Sequence, residues 1–292
     1  MKALPVGIQS FADLRQKDYL YVDKTEDIHR LITSGKIYFL SRPRRFGKSL
    51  LVSTFAELFR GNKSLFEGLY IYDKYDWTQQ YPVITIDWSR INHSTAETME
   101  IETSIFIDNM ASSHQISLKQ IYASSRFDEL IMRLYEKTGH QVVVLIDEYD
   151  MPILDALSNP EELKLIREFL QSFYKVLKGT DGYLRFIFIT GVSKFSKVSV
   201  FSGMNSPDDI TMNKKYATIC GYTQDDYAEI PVSDTDDMRD LMQQQLFNGD
   251  ISAFQRNMQA MFARIPYQLH IPCDAYYRIL NDYTIINEYK ND

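Results

Sequence analysis

Short apolar runs alternate along the chain with longer segments in which apolar residues recur every three or four positions. Four apolar runs predict strands at 35–40, 81–89, 141–150 and 183–191. The run at 141–150 is continuous and rich in β-branched residues, which is typical of a strand covered on both faces. Such strands occur where helices pack on both sides of a sheet, so the pattern favours an α/β fold.

Helical spacing fills the gaps between these runs. It predicts helices at 49–61, 95–110, 126–139 and 159–179. Glycine ends three of them, as is common just after a helix. Strands that alternate with helices, joined by right-handed crossovers, predict a doubly wound and mainly parallel sheet.

The pattern changes near residue 222. Strand-like runs largely stop, and two amphipathic helices are predicted instead. We therefore divide the chain into a sheet domain at 1–222 and an acidic helical tail at 223–292. The whole net charge of −7 is carried by residues 221–292, and the first 220 residues are balanced. Because acidic and basic residues are equal in number in residues 1–220, the sequence does not support a broad polyanion-binding face. Contact with nucleic acid at one patch stays open.

No apolar window is long enough for a transmembrane helix, and the first residues lack a signal-peptide pattern. Cys220 and Cys273 lie far apart and predict reduced thiols. The five histidines show no metal-ligand spacing, so a structural metal is not expected. These features predict a cytoplasmic protein that makes no contact with membranes.

The first chemical signal is the stretch SRPRRFGKSLL at 41–51, which lies between a predicted strand and a predicted helix. Lys48 and Ser49 fit a phosphate-binding loop, in which backbone amides surround phosphates, lysine contacts the β- and γ-phosphates, and the hydroxyl binds Mg²⁺. The general motif has glycine where this chain has Arg42. Taken alone, the stretch is therefore also compatible with a basic surface loop.

A second signal follows the central apolar run. Asp147 and Glu148 end that strand, where Asp147 would hold Mg²⁺ and Glu148 would polarise the attacking water. Thr190 ends the next strand and is placed either to sense the γ-phosphate or to bond ordinary backbone groups. The loop with Lys48 and Ser49 precedes a helix, and the acidic pair follows a buried strand, as in nucleotide-binding proteins. The order of these two partial motifs favours a nucleotide site.

The arginines at 42, 44 and 45 admit three interpretations. They pair with phosphate oxygens, face a neighbouring subunit or nucleic acid, or form a solvated basic loop. Asp87, at the end of the second strand, either approaches the site from one side or is a solvated strand end, and the second interpretation fits best.

These stretches together resemble the AAA-ATPase-like proteins of bacteria over nearly all of residues 4–229. The version R-P-R-R-F-G-K-S of the phosphate loop (Walker A) and VVVLIDEYD (Walker B) carry the resemblance. It implies a P-loop NTPase fold, with Tyr21–Thr25 bordering the adenine. The predicted catalytic residues are Glu148, Lys48 and Thr190, and the predicted metal ligands are Ser49 and Asp147. The predicted nucleotide-binding residues are Arg44, Arg45, Phe46, Gly47, Lys48, Ser49 and Leu50.

Members of this family often carry a C-terminal domain that resembles PD-(D/E)XK nucleases, and residues 249–280 look like its helical beginning. The tail contains no usable nuclease carboxylates and lysine, so nuclease activity is not predicted. We interpret the tail as a packing remnant or a surface for a protein partner or a second copy.

The sequence thus predicts an ATPase that hydrolyses ATP with Mg²⁺ to drive a conformational switch. Two alternatives stay open: a nucleotide-binding module without significant turnover, and a component of a nucleic-acid-processing system.

Overall fold

The computed structural model of the chain describes residues 2, 5, 7–193, 200–201 and 204–221. Within these residues a single five-stranded sheet is parallel throughout, with α-helices and short 3₁₀ turns between the strands. The strands are β1 Ile37–Ser41, β2 Val83–Asp87, β3 Val142–Asp147, β4 Leu184–Gly191 and β5 Asp208–Asp209. The helices are α1 Phe11–Gln16, α2 Thr25–Ser34, α3 Lys48–Phe59, α4 Ala96–Ser113, α5 Ala123–Thr138, α6 Met151–Asp155 and α7 Pro160–Gly179.

The strand order is β2-β3-β4-β1-β5, so β4 lies between the strand that precedes the phosphate loop and the strand that ends in the acidic pair. Leu40 is paired with Thr190, and Asp87 is paired with Asp147. Because all strands run in the same direction, their carboxyl ends meet at one edge, where ligands of open α/β sheets bind.

Helices cover both faces of the sheet. Along β3 and β4, alternate side chains belong to two separate apolar clusters, as the period of two in a strand requires. One cluster packs against α1, α2 and α3, where the ring of Phe55 contacts those of Phe186 and Phe188. The other packs against α4, α5 and α7, where the Trp88 Nε1 donates to the Tyr174 hydroxyl over 2.7 Å. This double burial explains the continuous apolar runs and confirms the predicted α/β fold.

All four predicted strands and all four predicted helices are present, with bounds that differ by a few residues. Helices α1, α2 and α6 and the two-residue strand β5 were not predicted. The predicted boundary near residue 222 and the tail at 223–292 lie outside the described residues. In the described part of the chain, no helix is long and apolar enough to span a bilayer.

Candidate functional site

The loop between β1 and α3 presents backbone amides at the carboxyl edge of the sheet. Gly47 adopts the left-handed conformation, with φ of 88°, and caps α3 without a side-chain hydrogen bond. Glycine takes this conformation at no steric cost. Because no side chain of the described residues accepts from the first amides of α3, this part of the structure leaves the positive end of the helix open to an anion.

A cavity of about 580 Å³ lies over this loop. Its floor includes all seven residues that were predicted to bind nucleotide, from Arg44 to Leu50. Asp87, Ser89 and Glu148 also line it, as do Tyr21 and Val22. Residues 219–221 form a further part of the wall. Phe46 has a second role, because its side chain is only 9% exposed and belongs to the apolar cluster around α3.

Lys48 and Glu148 meet inside this cavity. The Lys48 side chain is 3% exposed, and its Nζ lies 3.3 Å from Glu148 Oε1 and 3.3 Å from the carbonyl oxygen of Pro43. The lysine at the start of α3 and the acid after β3 therefore form an ion pair across the width of β4. A buried amine next to helix amides is a strong centre for binding phosphate oxygens.

Glu148 is held in an unusual state. Its φ of 51° is rare for a residue other than glycine. Within the described part of the chain, its buried Oε2 accepts no hydrogen bond. Burial raises the pKa of the Glu148 carboxyl, and the neighbouring Lys48 offsets part of this rise. Strained backbone and a raised pKa are both common for a group that takes part in chemistry.

Asp147 and Thr190 lie behind this pair. The Asp147 carboxylate is buried and accepts from the Glu148 amide over 3.0 Å and from the Thr190 hydroxyl. Thr190 is fully buried, and the cavity wall formed by the described residues includes neither of these two side chains. Asp147 contacts the wall residue Glu148, and Thr190 contacts Asp147, so Thr190 lies behind Asp147 as seen from the cavity.

Arg42 departs from all three sequence interpretations. Its side chain is 1% exposed, and its guanidinium donates to backbone carbonyl oxygens of Ser41, Thr211 and Tyr216. The backbone amide of Arg42 donates to Gly191, so β1 continues in extended form where the general motif turns at glycine. The side chain therefore points into the fold, and only Arg44 and Arg45 are exposed at the cavity.

Asp87 lines the cavity, where its half-exposed carboxylate accepts from the amide and hydroxyl of Ser89, so this strand end borders the site and is also open to solvent. Two further features of the site were not found from the sequence. Asp150 is fully buried and accepts from the amides of residues 192 and 193. A third acid within VVVLIDEYD was the available signal for Asp150, whereas nothing in the sequence pointed to the wall at 219–221.

In the part of the chain that the structure describes, no three His, Cys, Asp or Glu residues cluster as a metal site. Magnesium at phosphate sites takes most of its ligands from phosphates and water, with one or two protein oxygens. Ser49 on the cavity floor and the Asp147 carboxylate fit that limited requirement in chemical type.

Comparison with known proteins identifies relatives of the chain. A family model of AAA-ATPase-like proteins, described as predicted AAA-ATPases, matches residues 5–201. An uncharacterized protein in the vnfD 5′ region of Azotobacter chroococcum mcd 1 is 45% identical over 244 residues. The match covers 82% of this chain and 47% of that relative, so the chain spans about half of the relative's length.

Two solved structures are also similar. Drosophila ORC bound to poly(dA/dT) DNA and Cdc6 matches with a TM-score of 0.34 and 12% identity, over 72% of this chain and 30% of that chain. Drosophila ORC bound to GC-rich DNA and Cdc6 matches with a TM-score of 0.30 and 11% identity, over the same shares.

The family match extends over more than half of the chain and includes β1, the phosphate loop, β3 and β4. It confirms the resemblance seen in the sequence, and the parallel sheet agrees with it. The chain belongs to the AAA-ATPase-like family.

Proposed function

We propose that this protein binds ATP together with Mg²⁺ and hydrolyses it by attack of water on the γ-phosphate. The observation that carries the proposal is the meeting of the Lys48 amine and the Glu148 carboxylate, 3.3 Å apart, in a cavity floored by the phosphate loop. A lysine, a carboxylate and open helix amides are the groups that phosphoryl transfer to water requires.

Each residue has a separate task in this proposal. The amides of residues 47–50 surround the phosphates, and the Lys48 amine leaves Glu148 to contact the phosphate oxygens. Glu148 then loses its cationic partner and is available to orient the water and accept its proton. Ser49 and Asp147 would hold Mg²⁺, which neutralises charge on the phosphates when it is bound.

The transfer of Lys48 from Glu148 to the phosphate also supplies a conformational switch. Asp147 accepts from the Glu148 amide and from the Thr190 hydroxyl. A movement of Glu148 would therefore displace the hydrogen-bonded ends of both β3 and β4. A switch of this kind needs two arrangements of one contact, and the Lys48–Glu148 pair, either closed or opened by phosphate, provides them.

Two substitutions test the proposal when nucleotide affinity and phosphate release are both measured with and without Mg²⁺. Lys48→Ala should weaken ATP binding by about 10- to 100-fold, because a charge-assisted contact is lost. Glu148→Gln should retain binding and reduce turnover by roughly 10²- to 10⁴-fold. Turnover that survives Glu148→Gln, or binding that is indifferent to Lys48→Ala, would contradict the proposal.

A nucleotide-binding module without turnover is the second candidate. It is favoured by the state of Glu148, whose carboxylate is engaged by Lys48 and whose pKa is raised by burial. If ATP leaves that ion pair closed, the acid cannot act on water. Wild-type protein that binds ATP tightly but releases no phosphate would establish this candidate instead.

A further inference from the structure

We propose that Arg42 is a positioning residue, which holds residues 211–221 in place as one wall of the nucleotide cavity. The general phosphate-loop motif has glycine at this position, so the loop chemistry itself gives no role to a side chain here. The part that concerns nucleotide rests on the proposed function, whereas the part that concerns the wall does not.

The first step is the set of contacts that the Arg42 guanidinium makes. Nη1 donates to the carbonyl oxygens of Ser41 at 3.0 Å and Thr211 at 2.9 Å, and Nη2 donates to that of Tyr216 at 3.3 Å. Among the described residues, no carboxylate forms an ion pair with this buried guanidinium. Carbonyl oxygens therefore accept from both terminal nitrogens, whereas the buried Nε has no hydrogen-bond partner among the described residues. The planar donors join two separate points of one segment.

The second step leads from those points to the cavity. The amide of Ile219 donates to the carbonyl of Tyr216, which is one of the carbonyls that Arg42 holds. Ile219, Cys220 and Gly221 then line the cavity. A Cβ atom built on Gly47 would lie 3.8 Å from the Gly221 amide nitrogen, so the segment passes directly beside the phosphate loop.

Other contacts of the segment are apolar or lie nearer the surface. Tyr216, Ile219 and Cys220 belong to the apolar cluster around α3. The amide of Ser41 donates to the Thr211 hydroxyl, and Arg30 donates to the carbonyl of Lys215 from a side chain that is 40% exposed. The Thr218 hydroxyl donates to Asp27 over 3.5 Å. Among the described residues, loss of Arg42 would leave the Thr211 carbonyl without a donor and the Tyr216 carbonyl with the Ile219 amide alone. A buried carbonyl without a donor is costly. Water would then enter between the segment and the loop, and the wall would open.

Cys220 reports on the wall directly, because its thiol is 3% exposed. Burial also raises the pKa of the Cys220 thiol to about 11, which slows its reaction further while the wall is closed. The experiment uses the full chain carrying Cys273→Ser, so that Cys220 is the single thiol, and follows its reaction with an aromatic disulfide in nucleotide-free protein.

Arg42→Met should increase the reaction rate of Cys220 by at least about tenfold, since the rate follows the population of the open segment. Arg42→Lys, which keeps the charge but loses the planar set of donors, should give a smaller increase. Arg30→Met is the matched control, because it removes a partly exposed arginine of α2 that also donates to a carbonyl of residues 211–221. It should change the reaction rate of Cys220 by less than about twofold.

Hydrogen exchange of the β3 amides separates wall opening from unfolding. Exchange in β3 should stay unchanged in Arg42→Lys while Cys220 reacts faster. Equal Cys220 rates in the parent, Arg42→Met and Arg42→Lys proteins would overturn the proposal. So would a faster reaction that always accompanies faster exchange in β3, even in the lysine variant.

Nucleotide gives a second and distinct readout. ATP should slow the reaction of Cys220 in the parent, and Arg42→Met should raise KM for ATP with little change in kcat, because the wall contacts the bound nucleotide and not the reacting phosphate. If ATP has no effect in any variant but Arg42→Met still exposes Cys220, the proposed function fails and the role of Arg42 stands.

Discussion

At the scale of single residues, the candidate site contains two unusual backbone conformations. Arg45 has φ of 63° and Glu148 has φ of 51°. Left-handed conformations cost a residue with a Cβ about 1–2 kcal/mol, and they persist where the surrounding structure enforces them. One lies in the phosphate loop and the other beside Lys48, so two of the four described non-glycine residues with positive φ lie where the ligand of the proposed reaction would bind.

The strain at Arg45 predicts a difference between two substitutions that both remove its charge. Arg45→Gly should be more stable than Arg45→Ala by about 1 kcal/mol, since glycine accepts positive φ without a steric cost. Urea denaturation of nucleotide-free protein measures this difference. Arg45 is exposed, so neither variant disturbs the core. Equal stabilities would show that the backbone at this position is not strained.

The raised pKa of Glu148 predicts the acidic limb of the pH–rate profile. Only the ionised carboxylate can accept a proton, so kcat/KM should fall as the pH drops through a pKa above the ordinary value of 4.5. Steady-state phosphate release between pH 4.5 and 8 measures the limb, and the residual activity of Glu148→Gln should lack it. A limb centred at or below 4.5 in the wild type would exclude this assignment of the base.

At the scale of elements, the ends of β3 and β4 are joined by side chains. Tyr149 donates its hydroxyl to the carbonyl of Ser193 over 2.7 Å, and Asp150 accepts from the Ser193 amide over 2.6 Å. This close packing needs glycine at 191, because a Cβ there would lie 2.5 Å from Asp150 Oδ1 and 2.5 Å from the Tyr149 ring. The residues after the acidic pair therefore fix where β4 ends.

Gly191→Ala should consequently destabilise the protein by roughly 2 kcal/mol or more, because the rigid Tyr149 ring cannot move aside without repacking. Gly182→Ala is the control, since a Cβ at Gly182 meets no atom within 4 Å, and it should change stability by less than about 0.5 kcal/mol. Thermal and urea unfolding of both variants test the difference. If the two substitutions behave alike, the contact at the end of β4 is not tight.

Helices and strands could be predicted from the sequence where buried apolar residues recur with the period of a helix or a strand, or form a continuous run. The run at 142–146 is apolar throughout because both faces of β3 are covered, so the strand and the α/β fold follow from the pattern. β5 has only two residues and therefore offers no period to detect. The burial of the Arg42 side chain could not be predicted either. Its carbonyl partners at 211 and 216 are distant in sequence, and no local sequence pattern indicates the contact.

The same limit applies to the candidate site. Lys48 and Glu148 could be placed together because each half-motif specifies its own element and parallel strands share one edge. For Asp87 the sequence left two interpretations, since a carboxylate after a strand is equally common in solvent. The pairing of β2 with β3 brings it to the cavity.

At the scale of the whole molecule, the alternative of contact with nucleic acid depends on how much positive charge is exposed by the arginine cluster at 42, 44 and 45. Arg42 is buried, so at most Arg44 and Arg45 of this cluster can neutralise phosphates of a nucleic-acid backbone. Two such contacts correspond to a slope of about −2 in a plot of log K against log salt concentration.

We therefore expect Arg44→Ala/Arg45→Ala to reduce the salt slope of any duplex DNA binding by about 2 units. Filter binding over a salt series measures the slope for the wild type and the double variant. Lys63→Ala/Lys74→Ala, which changes two basic residues outside the cavity lining, is the control for net charge. A slope that is the same in both double variants would remove the cluster as a nucleic-acid site.

The ion pair between Lys48 and Glu148 bears on how a reaction cycle could end. Under the proposed function, a departing product would deprive a buried ammonium of its anionic partner, and a lone charge in that position is costly. Glu148 lies 3.3 Å away and can serve as the returning counter-ion. The group that assists water attack would thus also ease product release, so Glu148→Gln should retain ADP longer than the wild type does.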